Sequence, residues 1–175
     1  VTLKNKESFI SKVCIGAYGK RSNIDVKLNR DFIKNKSPHL AVKVHMKGDF
    51  PENKVGLHNF KGGYCGVSMV ETGNLNVCYI ADFESFKKHK DLTDFQEKVV
   101  YKNKFLKEVF TNGEIVFEKP ITISQISFSD KKTVDHHILM CGDTAGMIHP
   151  LSGNGMGIAI RSAKIASELI LDYIN

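Results

Sequence analysis

The stretch that most constrains this chain runs from residue 138 to residue 174. "ILMC" is apolar, "GD" ends it, a loop through Pro150 follows, and Gly153, Gly155 and Gly157 open a long apolar-periodic run. An apolar run of that length ended by glycine reads as a buried strand, and the run after it as a helix. Asp143 then sits at the carboxyl end of a strand, where ligands of α/β sheets bind. An ionised Asp only accepts hydrogen bonds, which suits sugar hydroxyls. A helix start offers unpaired N–H groups and the positive end of its dipole, fit for phosphate or for a carbonyl that gains negative charge. Glycines there let a flat ring lie close to the backbone. The plainer alternative is a connecting loop that needs glycines, with Asp143 as a helix cap.

The whole run, "GDTAGMIHPLSGNGMGIA" at 142–159, resembles the second FAD fingerprint of the flavoprotein family that includes geranylgeranyl reductases and hydroxybenzoate-hydroxylase-like monooxygenases. The family form is roughly G-D-A-A-G-x-x-x-P-x-x-G-x-G-x-x-x-A, and the chain departs from it at Thr144. A second stretch, "GAYGKRSNID" at 16–25, resembles the family's G-A-D-G-x-x-S-x-V-R. Gly16, Ala17, Gly19 and Ser22 agree, while Tyr18 replaces Asp and Asp25 replaces Arg. The resemblance implies that Asp143 holds the ribitol of FAD and that the backbone at Gly153–Gly157 lies near the isoalloxazine. It assigns cofactor contacts to Gly142, Asp143, Pro150, Gly153, Asn154, Gly155, Met156 and Gly19. NAD(P)H is a reductant the family allows, but the Asp that serves it is Tyr18 here. The family's G-x-G-x-x-G turn for the ADP half of FAD does not occur before residue 16, so the chain is expected to be the C-terminal portion of a larger flavoprotein, inactive alone.

Between the two motifs the pattern is that of a sheet. "KVCIGA" reads as a short strand, and residues 29–40 as a crossover. "AVKVHMKG", "KVGLHNF", "GGYCGVSMVE" and "NLNVCYIAD" alternate with period two, which predicts four antiparallel strands with one covered face. Residues 83–110 read as helical, with Thr93 and Gln96 at capping-box spacing; one or two strands follow within 114–129. The expected fold class is α+β: a partial FAD-binding, Rossmann-like domain from 1–28 and 125–175, around an antiparallel-sheet substrate domain at 29–124.

Composition narrows the classes. A chain of 175 residues with 42% hydrophobic content can bury a sizeable core. No apolar run approaches the roughly 18 residues of a membrane span. The net charge of +6 comes from basic residues interleaved with acids, which predicts a solvated surface and not a nucleic-acid interface. Cys14, Cys65, Cys78 and Cys141 have no metal spacing and read as reduced core residues of a cytoplasmic protein. No metal is expected, and the oligomeric state is not legible.

Single residues carry paired readings. His149 is either a flavin or substrate contact or an exposed loop residue. Arg161 either aids an anion or lies on a solvated face. Cys65 and Tyr64 either line a substrate chamber or belong to the core. No catalytic residue stands out. The function implied is an FAD-dependent reductase or monooxygenase acting on a small, apolar or aromatic molecule. The alternative is a non-catalytic ligand- or protein-binding module that keeps a vestigial flavin loop.

Overall fold

The computed structural model describes residues 1–175, with every side chain except those of Ser124 and Gln125. In chain order the elements are β1 (Cys14–Gly16), α1 (Asn23–Lys27), β2 (His39–Lys47), β3 (Val55–Phe60), β4 (Gly63–Met69), β5 (Leu75–Asp82), α2 (Phe83–Phe86), α3 (Leu92–Lys98), α4 (Lys104–Asn112), β6 (Glu114–Ile115), β7 (Ile121–Ile126), β8 (Val134–Asp135), β9 (Ile138–Met140) and α5 (Gly155–Ile174). The fold is α+β. It divides into two compact units, Val1–Lys36 with Ser127–Asn175, and Ser37–Ile126. Residues 29–36 thus belong to the first unit, where Asp31–Lys34 form a 3-10 turn.

The second unit is a six-stranded sheet in the order β3-β4-β5-β2-β6, with β7 also paired to β2. Strands β2 to β5 pair antiparallel. Tight turns set the register: Gly62 (φ 80°) between β3 and β4, and Gly73 (φ 75°) between β4 and β5. Both angles favour glycine. Alternation decides the faces, as expected: Leu40, Val42, Val44 and Met46 of β2 are buried, and the residues between them are half-buried. The buried face packs on Phe95, Val100 and Leu106. Tyr79 stands edge-on to Phe60 and Phe110 there, and its hydroxyl accepts a 3.2 Å hydrogen bond from Gln96 Nε2.

The 83–110 stretch is not one helix. Asp91 caps α3 by accepting from the Asp94 N–H, so Thr93 and Gln96 are interior residues and not a capping box. Asn103 caps α4, accepting from the N–H groups of Phe105 and Leu106. Each break falls at a polar side chain that bonds backbone more readily than it extends a helix. The 114–129 stretch forms two strands, β6 and β7.

In the first unit β1 lies parallel to β9, with Cys14 opposite Ile138 and Gly16 opposite Met140, and β8 pairs antiparallel to β9. Gly16 is fixed by space: a Cβ there would stand 2.7 Å from Met140 Sδ and 3.0 Å from the Tyr18 ring. Strand β9 spans three residues and is buried only at Met140, so the expectation of a buried strand is corrected to a partly covered one. Helix α5 packs through its small residues. Its buried residue is Ala166, while Ile165, Leu169 and Tyr173 are exposed. The small residues form the contact side: Ser162 Oγ accepts from the Gly142 N–H at 2.9 Å, and Gly142 lies against Ala159.

Candidate functional site

Two turns of the first unit come together at the carboxyl ends of β1 and β9. The first carries Gly19 (φ 84°), and the second is the 3-10 turn Gly142–Thr144, with Gly142 at φ 59°. Thr144, fully buried, joins them: its hydroxyl accepts from the Gly19 N–H at 2.8 Å and donates to the Gly19 carbonyl at 3.1 Å. Lys131 spans the same turns, donating from Nζ to the carbonyls of Lys20 at 2.7 Å and Asp143 at 2.8 Å.

Beside these turns lies an open cleft of about 480 Å³ whose lining includes Ala17, Gly19, Gly142, Asp143, Gly155 and Met156. Of the residues assigned from sequence, Gly19, Gly142, Asp143, Gly155 and Met156 meet in this cleft. Pro150, Gly153 and Asn154 do not line it. Pro150 starts a 3-10 turn that ends at Gly153 in the left-handed region, and Asn154 precedes α5. The Asn154 side-chain oxygen occupies the space where a Cβ on Gly157 would sit.

The cleft combines a hydrogen-bond acceptor, the Asp143 carboxylate, with the N–H donors of a helix start. The Asp143 carboxylate has no hydrogen-bond partner among the described residues. No side chain caps α5, so its first N–H groups, at Gly155 and after, are left to solvent or ligand. Beyond its chain neighbours and its own helix backbone, no atom lies within 4 Å of where a Cβ on Gly155 would sit. Lys20 and Asp143 are electrostatically coupled: burial pushes the Lys20 ammonium below its ordinary value, and the Asp143 charge opposes that shift. Burial likewise lowers Lys131, opposed by Asp25 and Asp143.

Sequence reasoning missed Arg30 and Lys131 altogether and met Thr144 only as a departure from a pattern. Arg30 is buried with Asp25, at 3.0 Å from its Oδ1. A guanidinium five residues after a carboxylate carries no signal until the fold closes around it. Other residues resolve plainly. His149 is exposed, and its Nδ1 accepts from the Leu151 N–H. Arg161 is also exposed. Cys65 is fully buried in the sheet core, so it lines no chamber, and burial pushes its thiol up to about 12. Tyr64, its neighbour, is half-buried on the opposite face of that sheet. All four cysteines are free. Among the described residues no cluster of His, Cys, Asp or Glu has the makings of a metal site, and no helix is long and apolar enough to cross a membrane.

No family model matches the chain. Among curated proteins it is similar to conditioned medium factor receptor 1 of Dictyostelium discoideum, 29% identical over 65% of this chain and 22% of that protein. It is also similar to digeranylgeranylglycerophospholipid reductase of Methanosarcina acetivorans, 27% identical over 94% of this chain and 40% of the reductase. The chain therefore spans less than half the length of either relative. Among solved structures it superposes on a triple mutant of the flavin-dependent brominase Bmp2 with a TM-score of 0.73, at 18% identity, over 94% of this chain and 44% of the brominase. The chain is similar in sequence to a geranylgeranyl-type reductase and has the fold of FAD-dependent oxidoreductases, the family its two glycine motifs resemble.

Proposed function

We propose that the cleft beside Gly19, Asp143 and Gly155 holds the ribityl and isoalloxazine half of FAD, and that this chain is part of a longer FAD-dependent oxidoreductase. The observation that carries this reading is the Asp143 carboxylate, which accepts no hydrogen bond among the described residues, in a cleft that also opens on an uncapped helix start. A carboxylate accepts from sugar hydroxyls, and each charge-assisted hydrogen bond contributes about 1.5–3 kcal/mol. First-turn amides of α5 favour the ring edge that becomes negative on reduction. The open space over Gly155 admits a flat ring near the backbone. Bound there, FAD supplies hydride transfer to an organic substrate or oxygen activation for hydroxylation. The chain's residues bind, orient and electrostatically bias the ring.

The relatives support the longer parent, because each is more than twice the length that this chain matches. The sheet of Ser37–Ile126 is the segment we assign to a small, apolar or aromatic substrate. NAD(P)H contact through position 18 is not part of the reading, since the Tyr18 hydroxyl donates to Asp25 Oδ1 at 2.9 Å.

Titration of the full-length protein with FAD, against its Asp143→Ala variant, tests the proposal. The parent binds, and the variant binds about 10- to 150-fold more weakly, the loss of one charge-assisted contact. A full-length protein with no affinity for FAD refutes the proposal and leaves the binding-module alternative.

A further inference from the structure

Three of the positions where the chain leaves the family pattern, Tyr18, Asp25 and Thr144, meet around one buried guanidinium. Arg30 Nη1 donates to Asp25 Oδ1 at 3.0 Å and to the Thr144 carbonyl at 3.0 Å. Its Nη2 donates to the Lys132 carbonyl at 2.7 Å, and its Nε lies 3.5 Å from Asp135 Oδ2. Asp25 is satisfied in turn: Oδ1 accepts from Tyr18, and Oδ2 from the Ser22 N–H at 2.7 Å. Arg30, Asp25 and Thr144 are 3%, 1% and 0% exposed.

A desolvated ion pair is a weak source of stability, because apolar residues of equal volume hold a core as well. What such a pair does supply, when each donor has a partner, is one fixed geometry. Here the fixed parts are the two turns that line the cleft. Arg30 holds the Thr144 carbonyl, Thr144 closes reciprocally on Gly19, and Lys131 ties the carbonyls of Lys20 and Asp143. These ties converge on the turn that carries Asp143.

We propose that Arg30, Thr144 and Lys131 are positioning residues: they clamp the Gly19 turn to the Gly142–Thr144 turn and so fix where Asp143 meets the sugar of the cofactor. The inference rests on the cleft being the flavin site.

The test uses the full-length protein with Thr144→Val, which removes the hydroxyl and keeps the shape, Thr144→Ser, which keeps the hydroxyl, and Lys131→Met. Amide hydrogen exchange is read at Gly19 and across 142–146 without FAD. FAD affinity and the visible circular dichroism of bound flavin are read separately. Thr144→Val and Lys131→Met exchange faster across 142–146 and bind FAD about tenfold or more weakly, with altered dichroism, whereas Thr144→Ser stays within about twofold of the parent. Should Thr144→Val not fold, Lys131→Met, whose side chain is only half-buried, carries the same comparison. Unchanged exchange across 142–146 in the folded variants overturns the clamp, as does unchanged FAD affinity and dichroism. If the parent itself binds no FAD, the flavin reading fails, and exchange across 142–146 alone decides the clamp.

Discussion

Replacing Gly155 with Ala separates a glycine needed by the protein from a glycine needed by a ligand. Gly155 is the first residue of α5 and has no left-handed φ, and a Cβ on it meets nothing within 4 Å beyond its chain neighbours and its own helix backbone. The fold therefore has no use for its missing side chain. Ala in place of Gly favours a helix by up to about 1 kcal/mol, so the unliganded variant melts at the parental temperature or up to about 2–4 °C higher. A ring packed on the Gly155 backbone lies about 3.5–4.0 Å from it, and an added methyl enters that space. Overpacking of that kind costs about 1–3 kcal/mol, so FAD affinity falls about 5- to 150-fold. The control is Gly153→Ala. Gly153 sits at φ 64° outside the cleft, so Ala there destabilises the fold by about 1–2 kcal/mol. Thermal melts and FAD titrations of both variants are the assays. A Gly155→Ala protein that is stable and binds FAD as tightly as the parent refutes the close-approach argument.

Two further predictions concern the second unit. Leu106→Ala, at a fully buried position under the sheet, destabilises that unit by about 2–5 kcal/mol in urea denaturation, and a loss below about 1 kcal/mol contradicts the packing described. Burial raises the Cys65 thiol from 9.0 to about 12, so the folded chain keeps a proton that the unfolded chain loses. That stabilisation is complete below pH 9 and is lost as pH rises towards 12, at up to about 1.4 kcal/mol per pH unit. Cys65→Ala therefore loses stability less steeply in alkali than the parent, with a residual slope from Tyr79, whose hydroxyl is also raised by burial. Identical slopes contradict this assignment.

The sequence exposed some levels of this fold and hid others, for physical reasons. Strands β2 to β5 were legible because period-two alternation is a local consequence of one covered face. The breaks between α2, α3 and α4 were not, because a cap such as Asn103 competes with helix continuation through bonds that spacing alone does not reveal. Helix α5 was legible in extent through its apolar periodicity. Its small residues face Gly142, and its larger apolar ones are exposed. Gly19, Asp143 and Gly155, which line the cleft, were picked out through the family resemblance. Arg30 was not, since its contact with Thr144 joins residues 114 apart in sequence. Position 18 shows the same limit: Tyr18 breaks a pattern, and only the fold shows the Asp25 it serves.

The central claim, that the turns at Gly19 and Gly142–Thr144 with the start of α5 form a flavin site, is tested most directly by the visible absorbance of the purified full-length protein. The account predicts flavin bands, or their appearance on reconstitution with FAD, and their weakening in Asp143→Ala. A folded, colourless protein that takes up no FAD on reconstitution contradicts it.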